Sequence, residues 1–189
     1  VLSAIRGTTS PDTIDFRAAV AYVTHSGASL LLETLSEATG PAWPGIQKSL
    51  VTCFDFGSTE PDALTLMSNH GFEVRVANVS TSHILVAPVS SYHPKAYFGG
   101  LPDGTARAAI GSANLSRRAL TVNTEVVASS TVMMAEVDAL WSELNRTSVP
   151  LTAELLAAYV EQRPAHSAIP QPPEPAIQPL PLATGLGTF

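Results

Sequence analysis

The chain has 189 residues, 45% of them hydrophobic, and 10 Lys and Arg against 16 Asp and Glu give a formal net charge of −6. This length suits one ordinary domain with a buried core, and the acidic balance argues against a broad basic surface that would hold nucleic acid without help. Cys53 is the only cysteine, so disulfide bonds within the chain are excluded and we expect a buried structural thiol.

The sequence shows no targeting or membrane-spanning segment. No run of eighteen or more apolar residues occurs, and residues 1–30 lack the basic and apolar order of a signal peptide. We therefore expect a cytoplasmic protein that does not contact a membrane.

The first half of the chain alternates between strand and helix patterns. Apolar runs and alternation predict strands, whereas apolar residues three and four apart predict helices. Pro61 and Gly71 mark the start and the end of one helix. The predicted order is strand 16–24, a helix capped by Ser26 that runs to about Ala38, strand 49–56, helix 61–70 and strand 72–79.

The second half contains more strands and one long helix. The predicted elements are strands 84–89, 95–99, 106–111 and 124–129, and helix 131–146. A turn at Pro102-Asp103-Gly104 predicts a β-hairpin. This alternation predicts an α/β sandwich with a mixed central sheet flanked by helices, and with the active site at one edge of the sheet.

The last part of the chain differs in composition. Residues 164–189 contain seven of the fifteen prolines and no lysine or arginine, which excludes a regular helix or a central strand. We therefore predict a catalytic domain over residues 1–163 and a proline-rich tail or linker over residues 164–189.

Five polar side chains have the chemistry needed to cleave a phosphodiester. His93 is the candidate nucleophile, because imidazole attacks and exchanges protons near neutral pH. Lys95, Ser112 and Asn114 are donors that neutralise charge growing on the phosphoryl oxygens. Glu125 is the candidate to hold the histidine in one tautomer. On a strand, the two-residue spacing of His93 and Lys95 places both side chains on one face.

The sequence His93-Pro94-Lys95, followed by the run GSAN at 111–114, resembles the motif of the phospholipase D superfamily. The surrounding residues 84–130 are most similar to its nuclease branch, which includes metal-independent restriction endonucleases and helicase-associated nuclease modules. One position departs from the family pattern, since Gly100 stands where an aspartate is frequent and Asp103 is out of register. This departure weakens the lipase interpretation more than the nuclease one.

The resemblance implies a fold, a mechanism and a set of roles. It implies a phospholipase D-like fold and a phosphohistidine intermediate, with no metal ion or cofactor. His93 attacks phosphorus, Lys95 and Asn114 hold the non-bridging oxygens, Ser112 supports the phosphate and Glu125 orients a histidine. These are the expected catalytic residues.

The motif occurs once, whereas members of the superfamily use two histidines, one from each motif copy. None of the other histidines, at 25, 70, 83 and 166, has a lysine two positions later. The resemblance therefore implies a homodimer with the active site at the two-fold interface, so that His93 of one chain faces His93 of its mate.

Positive charge is sparse but clustered near the motif. Arg117 and Arg118 are candidates for contacting the backbone of a DNA substrate, and the equally weighted alternative places them in an exposed loop or helix start. Because the acidic chain should bind DNA weakly by itself, a DNA-recognition or helicase domain or subunit is a candidate partner.

Three functions fit the sequence. The leading one is a metal-independent DNA endonuclease, the catalytic domain of a restriction or phage-defence enzyme. The second is a lipid or small-molecule phosphodiesterase or a phosphatidyl transferase, although no amphipathic membrane-binding stretch is evident. The third is a non-catalytic, dimeric nucleic-acid-binding module. The intact set of five motif residues argues against the third.

Overall fold

The strands predicted around the motif belong to one mixed sheet. The computed structural model describes residues 1–79 and 85–163. Its strands are β1 (Asp15–Val20), β2 (Gln47–Cys53), β3 (Phe72–Ala77), β4 (Lys95–Gly100), β5 (Thr105–Gly111), β6 (Val127–Met133) and β7 (Ser148–Pro150). Its α-helices are α1 (Leu2–Arg6), α2 (His25–Thr39), α3 (Pro61–Asn69), α4 (Arg117–Thr121), α5 (Met134–Arg146) and α6 (Ala153–Gln162).

The order of strands across the sheet is β6-β5-β4-β1-β2-β3-β7. The three central neighbours β1, β2 and β3 are parallel, whereas β4, β5, β6 and β7 pair in the antiparallel sense. This arrangement confirms the predicted mixed central sheet. The hairpin turn between β4 and β5 is also confirmed, and Gly104 takes the positive φ of 83° that the turn requires.

Helices cover both sides of the sheet, because successive strand side chains point to opposite faces. In β1, Phe16 and Ala18 point into the core that contains Leu31 of α2, whereas Ala19 points into the core that contains Trp141 of α5. Helices α3, α4 and α6 share the core with α2. We call these two sides the α2 face and the α5 face.

Several predicted boundaries in the first half differ from the structure. The predicted strand 49–56 is observed as Gln47–Cys53, and the strand predicted over 72–79 ends at Ala77. The first strand stops at Val20, not at residue 24. Thr24, not Ser26, is the N-cap of α2, since the Thr24 hydroxyl accepts a hydrogen bond from the N–H of Gly27 at 3.1 Å. Ser26 therefore lies inside the first turn.

The predicted strand 84–89 is wrong for its described residues, because 85–89 form turns and bends. Pro88 lacks the N–H that a sheet ladder needs. Strand β6 begins at Val127, three residues later than predicted. It continues to Met133, which pairs with Thr105, so α5 begins only at Met134.

Four helices and strands were not assigned from sequence, namely α1, α4, β7 and α6. The proline-rich tail 164–189 and two of the histidines considered above, at 83 and 166, lie outside the described residues. Among the described helices, none combines the length and the apolar character needed to cross a bilayer.

Candidate active site

His93 and Lys95 meet where β4 begins, beside the end of β1. The Nζ atom of Lys95 lies 2.9 Å from Nδ1 of His93 and donates to the His93 carbonyl oxygen at 3.0 Å. His93 precedes the strand and is exposed, whereas Lys95 is the first residue of β4 and is buried, opposite Val20 of β1. The two motif side chains thus form a pair, as their spacing predicted.

The surroundings of Lys95 affect its charge in two directions. Burial lowers the pKa of Lys95, and the nearby Cys53 and Glu125 act to raise it. The balance is a lowered pKa, so Lys95 gives up its proton more readily than an exposed lysine. A proton donor and a positive charge are therefore both available next to the imidazole.

Ser112 and Glu125 lie just beyond the paired ends of β5 and β6, where Gly111 is opposite Val127. The hydroxyl of Ser112 donates to Oε2 of Glu125 in a short hydrogen bond and accepts from the N–H of Val126 at 3.0 Å. The side chain of Asn123 donates to Oε1 of Glu125 at 3.4 Å. Both carboxylate oxygens therefore have partners within the chain.

Glu125 makes no hydrogen bond to His93 in the part of the chain that the structure describes. Its expected role in orienting a histidine therefore stays a prediction. Within one chain its observed role is to fix the Ser112 hydroxyl.

Gly111 explains how the two strands come so close at this point. A Cβ atom at Gly111 would lie only 1.9 Å from the carbonyl oxygen of Val126. Any side chain here would push the start of β6 away, and the Ser112–Glu125 contact would be lost. The glycine of the GSAN run is thus required because the backbone of Val126 approaches Gly111 closely.

Asn114 is tied to the end of β1. Its Oδ1 accepts a hydrogen bond from the N–H of Tyr22 at 3.3 Å, and Leu115 forms a parallel bridge with Val23. A Cβ atom at Gly27 would lie 2.3 Å from the Leu115 carbonyl oxygen, so the start of α2 packs directly on this loop. The amide of Asn114 is therefore held by backbone contacts.

Several supporting residues were not found from sequence. The ring of Tyr22 meets His93 edge to face, with centroids 5.9 Å apart. The hydroxyl of Tyr97 donates to the carbonyl of Ala113 at 3.1 Å, which supports the GSAN loop from below. Tyr22 and Tyr97 lie in apolar runs of the sequence, where nothing local distinguishes them from ordinary core residues.

Asp55 supports the segment just before His93. Its Oδ2 accepts hydrogen bonds from the N–H of Tyr92 at 2.9 Å and from Nδ2 of Asn78 at 3.2 Å. The neighbouring thiol of Cys53 donates to the carbonyl of Ala21 at 3.2 Å, and burial raises its pKa well above the ordinary value. The predicted buried thiol is confirmed.

Helix α6 contacts the loop of residues 54–59, which carries Asp55. The rings of Tyr159 and Phe54 stack with centroids 3.7 Å apart, and the Tyr159 hydroxyl donates to the carbonyl of Thr59 at 2.5 Å. The hydroxyl of Thr59 donates back to the carbonyl of Cys53 at 2.7 Å. The loop that carries Asp55 is therefore supported by the last described helix.

Arg117 and Arg118 are the first residues of α4, whose N-cap is Ser116. Both side chains are exposed, and both follow the GSAN run closely. This position agrees with the alternative of an exposed helix start, while their contact with substrate stays a prediction. In the described residues, no group of three His, Cys, Asp or Glu side chains is placed to hold a metal ion.

Comparison with known structures identifies the fold as that of the phospholipase D family. The phospholipase D family member Nuc from Salmonella typhimurium matches with a TM-score of 0.52 and 18% identity, over 80% of this chain and 88% of that one. The predicted fold is thereby confirmed, and at this identity the likeness concerns the fold.

Two further solved structures are similar. NucT from Helicobacter pylori has a TM-score of 0.48 and 15% identity, over 79% of this chain and 87% of that one. Yeast tyrosyl-DNA phosphodiesterase has a TM-score of 0.47 and 10% identity, over 74% of this chain and only 36% of that one. No family model and no curated protein sequence matches the chain significantly.

Proposed function

We propose that the protein is a phosphodiesterase that cleaves DNA as an endonuclease, through a phosphohistidine intermediate and without a metal ion. The observation that carries the proposal is the 2.9 Å contact of Lys95 with His93 beside the Ser112–Glu125 pair, at one edge of a phospholipase D fold. Lys95 and Asn114 supply the positive charge and the amide donor that a metal ion supplies in other phosphodiesterases.

The proposed reaction has two steps. In the first, Nε2 of His93 attacks phosphorus, the bond to the leaving oxygen breaks, and that oxygen takes a proton from a second imidazole. In the second, water attacks the phosphohistidine, returns a proton to the second imidazole, and the P–N bond breaks. His93 is thus restored, and water is the only co-reactant.

The proton on His93 must move before attack. When the Lys95 ammonium donates to Nδ1, a neutral ring carries its proton on Nε2, the atom that must attack. Attack therefore requires Lys95 to turn from Nδ1 to the phosphate, and the ring to lose its proton at Nε2 and gain one at Nδ1, whose N–H then donates a hydrogen bond to a carboxylate. Our candidate for this carboxylate is Glu125 of a second copy, because Glu125 of the same chain is bound to Ser112 and Asn123 and makes no hydrogen bond to His93 within the described residues.

We propose that the active form is a homodimer. The reaction needs two imidazoles, and the His-x-Lys motif occurs once. His93 is exposed, and Val122 and Val126 near Glu125 have exposed fractions of 70% and 76%. A two-fold contact across these apolar side chains would cover them and bring the two His93 rings together.

A restriction or phage-defence role is the proposed setting. Such a catalytic domain would receive its DNA affinity from a DNA-recognition or helicase partner, which is consistent with the net charge of −6. The residues 164–189 are proposed to be the linker toward that partner.

The deciding experiment incubates the purified protein and the His93→Ala variant with supercoiled plasmid and with a single-stranded oligonucleotide, at low salt and in excess EDTA. We expect nicking by the unmodified protein alone, and a phosphohistidine at residue 93 in the acid-quenched, digested protein by mass spectrometry. Equal cleavage by both proteins would rule out His93 as the nucleophile. Hydrolysis of phosphatidylcholine without DNA cleavage would favour the lipid alternative, and no turnover would favour the binding module.

A further inference from the structure

The arginines of the described residues fall into two groups. Arg17, Arg75 and Arg146 are paired with carboxylates, and Arg163 donates to the carbonyl of Gly57. The other four form no ion pair or side-chain hydrogen bond within the described residues, and they are Arg6, Arg107, Arg117 and Arg118.

The four arginines without an ion pair lie in a part of the chain with few acidic residues. Asp103 borders this part, and its pKa is lowered by hydrogen bonds from Thr105 and by the charge of Arg107. Residues 1–11 contain no Asp or Glu, and residues 104–133 contain Glu125 alone. These segments are neighbours, since α1 contacts both β5 and β6, and β5 pairs with β6. We call residues 1–11 and 104–133 the basic sector.

A groove runs through the basic sector between α1 and the β5–β6 hairpin. Its cavity has a volume of about 360 Å³ and is lined by Ser3, Gly7, Thr8, Arg107, Ser129 and Thr131, among others. Thr8 forms one wall because Gly99 lacks a side chain, and a Cβ atom there would lie 1.9 Å from the Thr8 carbonyl oxygen.

Apart from the Thr8 hydroxyl, which donates to the carbonyl of Ile5 at 2.7 Å, the side-chain donors in this groove are uncommitted within the described residues. The hydroxyls of Ser3, Ser129 and Thr131 make no hydrogen bond with the rest of residues 1–79 and 85–163, and neither does the guanidinium of Arg107. Arg107 and Thr131 are paired across β5 and β6, so their side chains emerge on the same face. A guanidinium flanked by hydroxyls is a suitable site for a phosphate group.

The distance between Arg107 in the groove and Gly111 of the motif matches the spacing of a few nucleotides in one strand. Arg107 is four residues before Gly111 on β5, which is about 13 Å at 3.3 Å per residue. A strand of B-form DNA advances 3.4 Å per nucleotide, so this distance corresponds to about four nucleotides. One nucleic-acid strand therefore has the length to occupy both places.

We propose that this groove binds a backbone phosphate of the nucleic-acid strand that is cleaved at His93, with Arg107 as its principal contact. The inference rests on the proposed function and adds a second contact point to it. A lipid is disfavoured as the occupant, since the lining is mostly hydroxyl, guanidinium and backbone, with alanine as its apolar side chain.

The test measures binding of a fluorescein-labelled 20-nucleotide single strand by anisotropy, at several salt concentrations, for the full chain and three variants. Arg107→Gln removes the contact, and Thr131→Glu places a negative charge in the groove without removing Arg107. Arg146→Gln is the matched control, since it changes the net charge equally but lies at the end of α5, paired with Glu143.

We expect Arg107→Gln and Thr131→Glu to weaken binding about fivefold at low salt. Arg107→Gln should also reduce the slope of log affinity against log salt by about 0.7, the value for one phosphate contact on a single strand. Arg146→Gln should change neither quantity.

Three other outcomes would overturn the inference. An equal, small loss for Arg107→Gln and Arg146→Gln would show that only net charge matters, and the proposed nuclease would stand. Arg107-dependent binding to phosphatidylglycerol vesicles but not to the strand would refute the nucleic-acid assignment. Absence of strand binding by the unmodified protein would refute the groove and the DNA substrate together, whereas binding without cleavage would contradict the proposed catalysis alone.

Discussion

The basic sector and the α5 face treat the same residue type in opposite ways. On the α5 face, the guanidinium of Arg17 contacts Asp15 at 2.6 Å and Asp138 at 2.8 Å, and lies 5.6 Å from the centre of the Trp141 ring. In the basic sector, Arg107 forms no close ion pair among the described residues, and its charge acts on the exposed Asp103 only at longer range. One region uses arginine to hold the structure, and the other leaves it available to a ligand.

The difference shows why net charge is a poor guide to this protein. A total of −6 suggests a surface that repels DNA, yet the region next to the motif carries four arginines and one carboxylate. Because fields at a surface are screened over about 10 Å in salt, the local balance governs the approach of a phosphate. The comparison is testable at both regions and at the proposed catalytic residues His93 and Lys95.

The largest expected effect is at His93, where we expect His93→Ala to lower DNA cleavage at least about 10³-fold, because the nucleophile is removed. The readout is the initial rate of plasmid nicking in EDTA. His70→Ala is the control, since His70 is an exposed residue at the end of α3. A similar loss in both variants would point to a general effect on folding and would contradict the assignment.

The second largest expected effect on the cleavage rate is at Lys95. Lys95→Gln should lower the cleavage rate about 10²-fold, since the charge on the phosphoryl oxygens is no longer neutralised. The pH profile sharpens this prediction. Because burial lowers the pKa of Lys95 below the ordinary value of 10.5, the rate should fall on the alkaline side before 10.5.

Lys95→Arg provides the matched variant, since arginine stays charged in this range. Its alkaline fall should move to higher pH, even if its maximum rate is lower. The same lowered pKa affects stability with a definite sign. Between the folded pKa and 10.5 the unfolded chain binds more protons, so the stability of the unmodified protein should rise with pH in that window.

On the α5 face the expected effect is on stability, not on binding. Arg17→Gln leaves the buried Asp15 without its partner, and we expect a loss of about 2 kcal/mol in the free energy of unfolding, measured in urea. Affinity for the 20-nucleotide strand should stay unchanged. A loss of affinity without a loss of stability would reverse the contrast between the two regions.

The smallest expected effect is the change in the free energy of unfolding caused by Arg107→Gln. Arg107 has no ion pair to lose among the described residues, so its unfolding transition should coincide with that of the unmodified protein within about 0.5 kcal/mol. Urea unfolding of both variants in parallel makes the comparison direct. A loss comparable to that of Arg17→Gln would mean that Arg107 is a structural residue.

The sequence predicted the mixed sheet and the proximity of His93 and Lys95, because both signals are local. The spacing of His93 and Lys95 and the turn at Gly104 need only a few neighbouring residues to be read. The contact between Tyr22 and Asn114 spans 92 positions, and no short-range pattern encodes it. The whole set of catalytic roles stays a prediction.

The missed elements have the same physical origin. Helix α6 is held by the stacking of Tyr159 on Phe54, a contact made only after the chain has folded. The start of β6 was placed too early because Val126 and Val127 look alike in sequence, whereas only the second lies within the strand. Tertiary pairing decides both cases.

The attachment of α6 makes the order of the loop around Asp55, which supports the segment before His93, depend on the far end of the described chain. If α6 detached, Phe54 would lose its stacked ring and Thr59 its hydroxyl donor, and the segment that presents Asp55 to Tyr92 would lose its support. Loss of α6 would therefore weaken the support of the segment that precedes His93, while the strand pairs of the sheet would keep their own hydrogen bonds.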